Sequence, residues 1–368
     1  MVILKAGGSS TLGGGLPRGR LIARCVEQLL VDRLPSGWSL HAEHAVLARD
    51  IRIDLVAKVI SPSGATADLA VEVQRMIAPR DVGRIADRIS LLASHALPSA
   101  VPVVAASYLS PRSRELLELH EVGYIDTTGN ARIEVSEPGL FISASGANRD
   151  PWPQNDELQS LRGRGAARAV RAIIDSAPPL GVRELAASTD TSTATLSRVL
   201  ELLVRDDIVK RERRGPVLSV DWQAAIRRWA QDYDQTASNT ATTCLEPRGL
   251  PALEAALTTS GIRYAATGAF AAQRFDPIAP ARTAALYVDD AYEAAHRLSL
   301  READSGANVV LLEPFDPVVF DRTVTRDGLR CVALSQLAVD LLTGPGREPP
   351  QGEELLRWMQ DHEDAWRS

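Results

Sequence analysis

Two acids and one amide in the stretch RIDLVAKVISPSGATADLAVEVQ, residues 52–74, have a spacing that suits phosphodiester chemistry. The stretch predicts two strands around a turn, with Asp54 on the first strand and Glu72 on the second. Two neighbouring carboxylates repel each other unless a cation such as Mg²⁺ lies between them. Such an ion can activate a water and stabilise the charge of phosphoryl transfer. Gln74 shares the face of Glu72, because strand side chains alternate with a period of two.

The elements around this hairpin alternate between helix and strand, which predicts a mixed α/β domain over residues 1–150. Asp126, Gly129 and Asn130 are typical of a turn between strands, which we favour over a role in a functional site. The start GGSSTLGGG lacks the Gly-Lys-Ser/Thr of a P-loop, so we interpret it as a flexible N-terminus. The other predicted elements are helices over 21–34, 79–96 and 111–120 and strands over 101–106, 124–125 and 131–135.

This arrangement resembles the restriction-endonuclease-like superfamily, whose pattern is an acid followed by (D/E)xK on the next strand. The resemblance covers about residues 20–145. It implies that Asp54 and Glu72 bind Mg²⁺, that Glu27 on the leading helix is a further ligand, and that the site cleaves DNA. Gln74 departs from the pattern, because it stands where the superfamily usually has lysine and carries no positive charge. Some active members have glutamine there, so a catalytic trio, a metal site without cleavage, and ordinary polar residues on a sheet face all stay open.

Residues 157–235 contain a second pattern of three helices, the first of which includes residues 168–176 and ends before Pro178-Pro179. VRELAAS, residues 182–188, predicts the second helix, and after a turn Ser192 is a good N-cap for the third, which runs to about residue 204. A helix-turn-helix places the start of its second helix against base edges in the major groove. The buried stripe of that helix is Leu196, Val199, Leu200 and Leu203, and its predicted DNA contacts are Ser192, Thr193, Thr195 and Arg198.

The following stretch, IVKRERRGPVLSV, predicts a strand, a basic turn and a second strand. Such a wing would place Lys210, Arg211, Arg213 and Arg214 against DNA phosphates. Residues 158–235 hold 13 Lys and Arg against 10 Asp and Glu, a net charge of +3 in a chain of net charge -6. The unit resembles bacterial winged-helix regulators, closely in LAASTDTSTATLSRVLELLVRDDIVKR. In the first segment, YLSPRSRELLELHEVGYIDTTGNARIEV is similar to the equivalent part of actinobacterial-type regulators that carry the nuclease-like domain.

Residues 245–368 are again α/β and resemble a nucleotidyltransferase fold that has lost its chemistry. An active enzyme of that kind needs a Gly-Ser or Gly-Gly turn and an Asp-x-Asp pair on the next strand. This chain has Gly268-Ala269 and Ala285-Leu286-Tyr287 at those places, and Asp289-Asp290 is better explained as a helix cap. The segment is also similar to the C-terminal domain of AbiE-type antitoxins, which implies dimerisation, ligand sensing or partner binding.

The whole chain of 368 residues therefore predicts an α/β multidomain protein with linkers at 150–156 and 236–243. Three dispersed cysteines and the lack of a long apolar run predict a cytoplasmic protein without a membrane span. We favour a homodimeric regulator of transcription that binds double-stranded DNA, requires no cofactor, and has a protein partner or small-molecule effector. The alternatives are a Mg²⁺-dependent nuclease and an antitoxin-like protein that binds another protein.

Overall fold

The computed structural model describes residues 19–48, 51–97, 99–152, 160–212, 215–275 and 280–368. The chain divides into two compact units, Met1–Glu157 and Leu158–Ser368, and each is described by itself. The glycine-rich start and part of the predicted linker at 150–156 lie outside the described residues. The predicted fold class, a mixed α/β protein, is confirmed.

The first unit is built on a seven-stranded sheet in which every strand lies beside its neighbour in the chain. The pairs β3–β4 and β4–β5 are parallel and the other pairs are antiparallel. The elements are α1 (Gly19–Arg33), β1 (Ser39–Ala48), β2 (Ile51–Ile60), β3 (Thr66–Gln74), a 3₁₀ turn (Pro79–Asp81), α2 (Val82–Ala96), β4 (Val101–Ala106), α3 (Pro111–Leu119), β5 (Gly123–Asp126), β6 (Ala131–Val135) and β7 (Leu140–Ala144).

Helices cover both faces of this sheet, so its central strands are apolar on both sides. On β3, Leu69 and Val71 pack in the cluster that contains α1, whereas Ala70 packs in the cluster that contains α2. Because side chains alternate along a strand, Glu72 falls on the α2 face with Ala70. The sheet therefore directs the second acid of the hairpin towards α2.

The second unit begins with three helices and a two-stranded hairpin, which is the element order of a winged helix. These are α4 (Arg164–Asp175), α5 (Val182–Ser188), α6 (Thr193–Arg205), β8 (Val209–Arg211) and β9 (Val217–Val220). The predicted helix over 182–188 and the predicted strand–turn–strand are both confirmed.

A second seven-stranded sheet, in the order β13-β10-β14-β12-β11-β16-β15, completes this unit. The remaining elements are α7 (Trp222–Ala230), α8 (Gln235–Ser238), β10 (Thr240–Leu245), α9 (Leu250–Thr259), β11 (Tyr264–Thr267), α10 (Gly268–Ala272), β12 (Ala284–Val288), α11 (Ala291–Arg297), β13 (Arg301–Glu302), β14 (Val309–Glu313), a 3₁₀ turn (Pro317–Phe320), β15 (Val324–Arg326), β16 (Leu329–Cys331), α12 (Leu334–Thr343), α13 (Glu348–Asp361) and a 3₁₀ turn (Glu363–Ala365).

The predicted linker at 236–243 is wrong, because these residues form α8 and most of β10. Strand β10 pairs with β13 and β14, and its threonines are β-branched residues that suit a strand as well as a loop. The segments on either side of this point share one hydrophobic core. The separation of 157–235 from 245–368 as functional domains stays a prediction.

A buried carboxylate ties this shared core together. Asp340 on α12 accepts hydrogen bonds from Thr267 Oγ1 at 2.6 Å, Tyr233 Oη at 2.8 Å and Gln336 Nε2 at 2.9 Å. Tyr287 Oη also donates to it, at 3.0 Å. Burial raises the pKa of Asp340 to about 6, although the hydrogen bonds act to lower it.

Asp340→Asn should remove a pH dependence of stability. The pKa of Asp340 is raised on folding to about 6, so the folded protein holds its proton more tightly than the unfolded chain does. The free energy of unfolding of the parent should therefore fall as the pH rises through the range from about 4 to 6, by on the order of 2–3 kcal/mol relative to the variant. Urea unfolding followed by tryptophan fluorescence measures this, because Trp222, Trp229, Trp358 and Trp366 belong to the second unit.

Asp304→Asn, a change at an exposed acid of the same unit, is the control. The difference in the free energy of unfolding between the parent and Asp340→Asn should not be the same at pH 4.5 and at pH 7.5. An equal difference at both pH values would mean that Asp340 does not titrate in this range.

Candidate functional site

Asp54 and Glu72 line one cleft of about 200 Å³, together with Arg52 and Arg88. The pairing of β2 with β3 runs from Ile60↔Thr66 to Leu55↔Val71 and does not include Asp54. Beyond that point, Asp54 Oδ2 accepts a hydrogen bond from the backbone nitrogen of Val73 at 2.9 Å. The carboxylate thus takes the place of a ladder carbonyl, and the two acids meet as the hairpin predicted.

A backbone irregularity lies opposite Asp54. The pairing of β1 with β2 passes from His44↔Leu55 to Val46↔Ile53, and the intervening Ala45 has φ 55°. An unpaired residue in a ladder changes the local direction of the strand, and such irregularities often adjoin functional sites. Here it coincides with the point where the side chain of Asp54 replaces a ladder bond.

Glu72 is held by the protein's own cation. Its side chain is buried, and its Oε2 accepts a hydrogen bond from Arg88 Nε at 3.1 Å. Arg88 Nη2 also contacts Glu72 Oε1, and the amide of Gln74 donates to the same oxygen. Gln74 therefore lies on the face predicted for it, and a guanidinium stands where the resemblance predicts a metal ion.

Sequence reasoning missed Arg88, and the helical period indicates only its position beside the packed face of α2, not its partner. Arg88 precedes Ile89, one of the core residues of α2, so it lies at the border of the helix face that packs on the sheet. Nothing in the local sequence relates Arg88 to Glu72, because they lie 16 residues apart on different elements.

Glu27, the expected further ligand, pairs elsewhere. Its Oε2 lies 2.9 Å from His44 Nε2, and α1 packs on the sheet face opposite to that of Glu72. Within the described ranges, no group of three or more His, Cys, Asp or Glu is placed to hold a metal ion. The donor set is thus two carboxylates, of which one is neutralised by Arg88, and in this arrangement it does not fit a Mg²⁺ site.

Asp126 serves the turn that was predicted around it. The side chain is fully buried and accepts hydrogen bonds from the backbone nitrogens of Leu109, Thr128 and Asn130, at 2.9–3.1 Å. The Asn130 amide donates to it as well, at 2.8 Å. These bonds account for both Asp126 and Asn130 as structural residues.

The helix-turn-helix places its predicted residues at the start of α6. Ser192 Oγ accepts a hydrogen bond from the backbone nitrogen of Thr195 at 3.1 Å, which confirms it as the N-cap. Thr193 and Arg198 are exposed. Thr195 is half-buried, and a Cβ on Gly165 of α4 would lie 3.1 Å from its Cγ2, so it contributes to packing as well. All four residues of the predicted apolar stripe are buried.

The wing is a hairpin of β8 and β9 with an irregular register at Lys210 and Arg211. Lys210 is exposed and Arg211 is half-buried. Arg213 and Arg214 lie outside the described residues. Two of the four predicted wing cations are thus located on the hairpin.

Arg168 on α4 is a further residue that sequence reasoning missed. Its Nε donates to both carboxylate oxygens of Asp316 at 3.1 Å, and its Nη1 donates to Asp190 Oδ2 at 3.1 Å. Asp316 is fully buried, and hydrogen bonding to it raises the pKa of Arg168. Asp190 belongs to the turn before α6 and has φ 48°, so Arg168 holds that turn in a left-handed conformation.

An acid occupies the Gly268-Ala269 turn, where the nucleotidyltransferase resemblance expects a Gly-Ser or Gly-Gly turn. Glu348 Oε1 accepts a hydrogen bond from the backbone nitrogen of Ala269 at 3.1 Å, next to Gly268 with its φ of 61°. Burial raises the pKa of Glu348. Asp290 Oδ1 accepts from the backbone nitrogen of Glu293 at 2.8 Å, which confirms it as a helix cap.

Comparison with known proteins adds little to this picture. No protein-family model matches the chain, and no curated protein matches its sequence. The solved structure described as "Structure of EndoMS in apo form" is 14% identical with a TM-score of 0.20, over 28% of this chain and 45% of that chain. The match spans less than half of the length of that chain. None of the described helices is long and apolar enough to cross a membrane.

Ser192→Ala should lower the free energy of unfolding of the second unit by about 1 kcal/mol, because it leaves a backbone donor of α6 without its cap. Ser192→Gly should cost only a few tenths of that amount. Urea unfolding measures both changes. Ser219→Ala, at an exposed serine of β9, is the control. If alanine and glycine behaved alike at Ser192, the hydrogen bond to Thr195 would have no part in stability.

Proposed function

We propose that this protein is a regulator of transcription that binds double-stranded DNA in a sequence-specific way through α6. The observation that carries the proposal is the combination of α5, its turn and α6 with the β8–β9 hairpin that follows. The apolar stripe of α6 is buried, so Thr193 and Arg198 remain exposed to read base edges. Lys210 and Arg211 follow on the hairpin, where wings of this type bind phosphates.

The distribution of charge supports this proposal. The segment 158–235 carries a net charge of +3, while the chain as a whole carries -6. A local excess of cations in an acidic protein concentrates DNA at one surface and disfavours binding along the rest of the chain. Two-fold symmetric recognition by a homodimer belongs to the same proposal, because regulators of this class read paired half-sites.

We propose that both enzyme-like parts are catalytically inactive. In the first unit, Arg88 neutralises Glu72, and Gln74 supplies only a dipole where cleavage needs charge. In the second unit, the carboxylate of Glu348 occupies the turn beside Gly268 and would repel a phosphate. No metal ion or other cofactor is needed for the proposed activity.

One observation favours a second candidate function, a metal-dependent nuclease. Arg88 provides, from α2, the positive charge that Gln74 does not provide. In that case Arg88 would leave Glu72 when a divalent ion binds and would stabilise the charge on the phosphate. The two candidates therefore assign opposite roles to the same arginine.

Arg198→Ala should reduce the affinity for a duplex selected from a random library by about 1–3 kcal/mol and should leave the affinity for unrelated duplexes nearly unchanged. The reason is that a base contact discriminates between sequences. Lys210→Gln should weaken binding to both duplexes alike and lower the slope of log K against log salt by about one. Fluorescence anisotropy at several salt concentrations measures all of these values.

Arg357→Gln, at an exposed arginine of α13, is the matched control and should bind like the parent. An equal loss by Arg198→Ala on selected and unrelated duplexes would show that α6 does not read bases. If no duplex is enriched by selection, the proposed function itself fails.

The parent protein should leave supercoiled plasmid intact in Mg²⁺ or Mn²⁺, and Asp54→Ala should bind the selected duplex normally. Arg88→Ala should also leave the plasmid intact, but it should bind Mn²⁺ more tightly than the parent because Glu72 loses its cation. Gel analysis of nicking and calorimetric titration with Mn²⁺ are the measurements.

Arg84→Ala is the control for a cation lost from the same helix, since Arg84 pairs with Asp81 rather than with the acid cleft. If the parent instead nicks the plasmid and both Glu72→Ala and Arg88→Ala abolish the nicking, that result would establish the nuclease. It would also refute the proposal that the first unit is catalytically inactive.

A further inference from the structure

A cavity of about 350 Å³ that is open to solvent lies in the second unit, between the first helices and the second sheet, and its walls include the exposed residues Arg162, Asp234 and Ala237. Its walls come from the chain entering α4, the end of α7, α8 and the loop after β14. The residues that matter here are Arg162, Trp229, Tyr233, Asp234, Ala237 and Phe315. Sites for small molecules occupy about 300–1,000 Å³, so the cavity has room for a ligand the size of an amino acid.

The inner wall of this cavity is aromatic. The ring centroids of Trp229 and Tyr233 lie 5.3 Å apart, and those of Tyr233 and Phe315 lie 6.2 Å apart. Trp229 and Tyr233 are buried, whereas Phe315 is partly exposed. An aromatic ring on a ligand could extend this series by packing against Phe315.

Three charged residues line the same cavity: Arg162, Asp234 and Asp232, whose Oδ2 already accepts hydrogen bonds from Arg228 Nη1 and from the backbone nitrogen of Leu161. Arg162 donates from Nε to the carbonyl oxygen of Asp232 at 3.2 Å, and among the described residues its terminal nitrogens have no acceptor, so they can bind a ligand carboxylate. Asp234 Oδ1 accepts from the backbone nitrogen of Ala237 at 2.6 Å, which leaves Oδ2 for a ligand cation. A small molecule that carries both charges and a ring would match this wall.

The cavity is connected to the helix-turn-helix through the residue after Phe315. Asp316 is buried and binds Arg168, and Arg168 binds both the carboxylate and the carbonyl oxygen of Asp190. Asp190 lies in the turn that sets the start of α6. A displacement of Phe315 can therefore be transmitted through a continuous set of hydrogen bonds to the turn before α6.

We propose that this cavity is an effector site for a small aromatic zwitterion, of which aromatic amino acids are the simplest examples, and that its occupancy changes DNA affinity through Asp316, Arg168 and Asp190. The effect on DNA rests on the proposed function, whereas binding of the ligand does not. Coupling between two sites of this kind changes affinity by about 5- to 150-fold.

The ligand site is tested first, by calorimetric titration of the full chain with L-tryptophan and L-phenylalanine in the absence of DNA. At least one should bind, and Arg162→Gln and Ala237→Trp should each weaken it at least tenfold, because they remove the cation and fill the cavity. Arg357→Gln, the matched arginine control, should bind like the parent. Absence of binding at millimolar concentrations, binding that both cavity variants retain, or equally tight binding of uncharged indole would overturn the site.

The coupling is tested with the selected duplex and the amino acid that binds. The ligand should change the Kd of the parent for DNA at least fivefold and that of Arg168→Gln less than twofold, while Arg168→Gln still binds the ligand. Asp190→Asn, a milder change at an exposed residue, serves if Arg168→Gln does not fold. A DNA affinity that the ligand does not alter in the parent overturns the coupling. If the parent binds no DNA at all, the proposed function fails while the calorimetric result still decides the effector site.

Discussion

The second unit depends on a buried arginine. Arg171 of α4 is 2% exposed, and its guanidinium donates to Asp175, Gln336 and the carbonyl oxygens of Val318 and Asp321, at 3.1–3.2 Å. A buried charge is tolerated only when it is paired and its donors are satisfied. Three of these acceptors belong to the α/β segment, so α4 keeps its charge satisfied only while it is packed there. The segment from α4 to β9, which we propose as a winged helix, is therefore part of one core rather than a module on a flexible tether.

The same rule shapes the acid cleft of the first unit. Glu72 is a buried carboxylate, and the fold supplies Arg88 as its counter-ion. In a nuclease a divalent ion meets this electrostatic need, and the ion brings a reactive water with it. A guanidinium meets the need without bringing a water. The pair can thus stabilise the hairpin without a metal ion, which agrees with the regulatory role we propose.

Much of the fold could be predicted because its signals are local. The strand over 101–106 and the helix over 182–188 match the structure at both ends, since apolar period and turn residues define them. Strands β1 and β7 were not predicted. Strand β1 is an edge strand in which Leu40 and Ala42 pack against the core while Ser39, His41 and Glu43 are exposed, but this alternation is short and is lost at His44-Ala45. The threonine-rich stretch 236–243 was misinterpreted because small polar residues suit a loop and an outer strand equally well.

The sequence by itself determined that Glu72 and Gln74 share a face, that Ser192 caps α6 and that the stripe of α6 is buried. Each of these follows from the period of one element or from a hydrogen bond between near neighbours. Only the tertiary structure decided that Arg88 neutralises Glu72. It also decided that Arg168 binds both Asp190 and Asp316, the second of which lies 148 positions from Arg168 in the sequence. These pairs form because packing of apolar faces brings distant elements together, and charges buried by that packing then require partners.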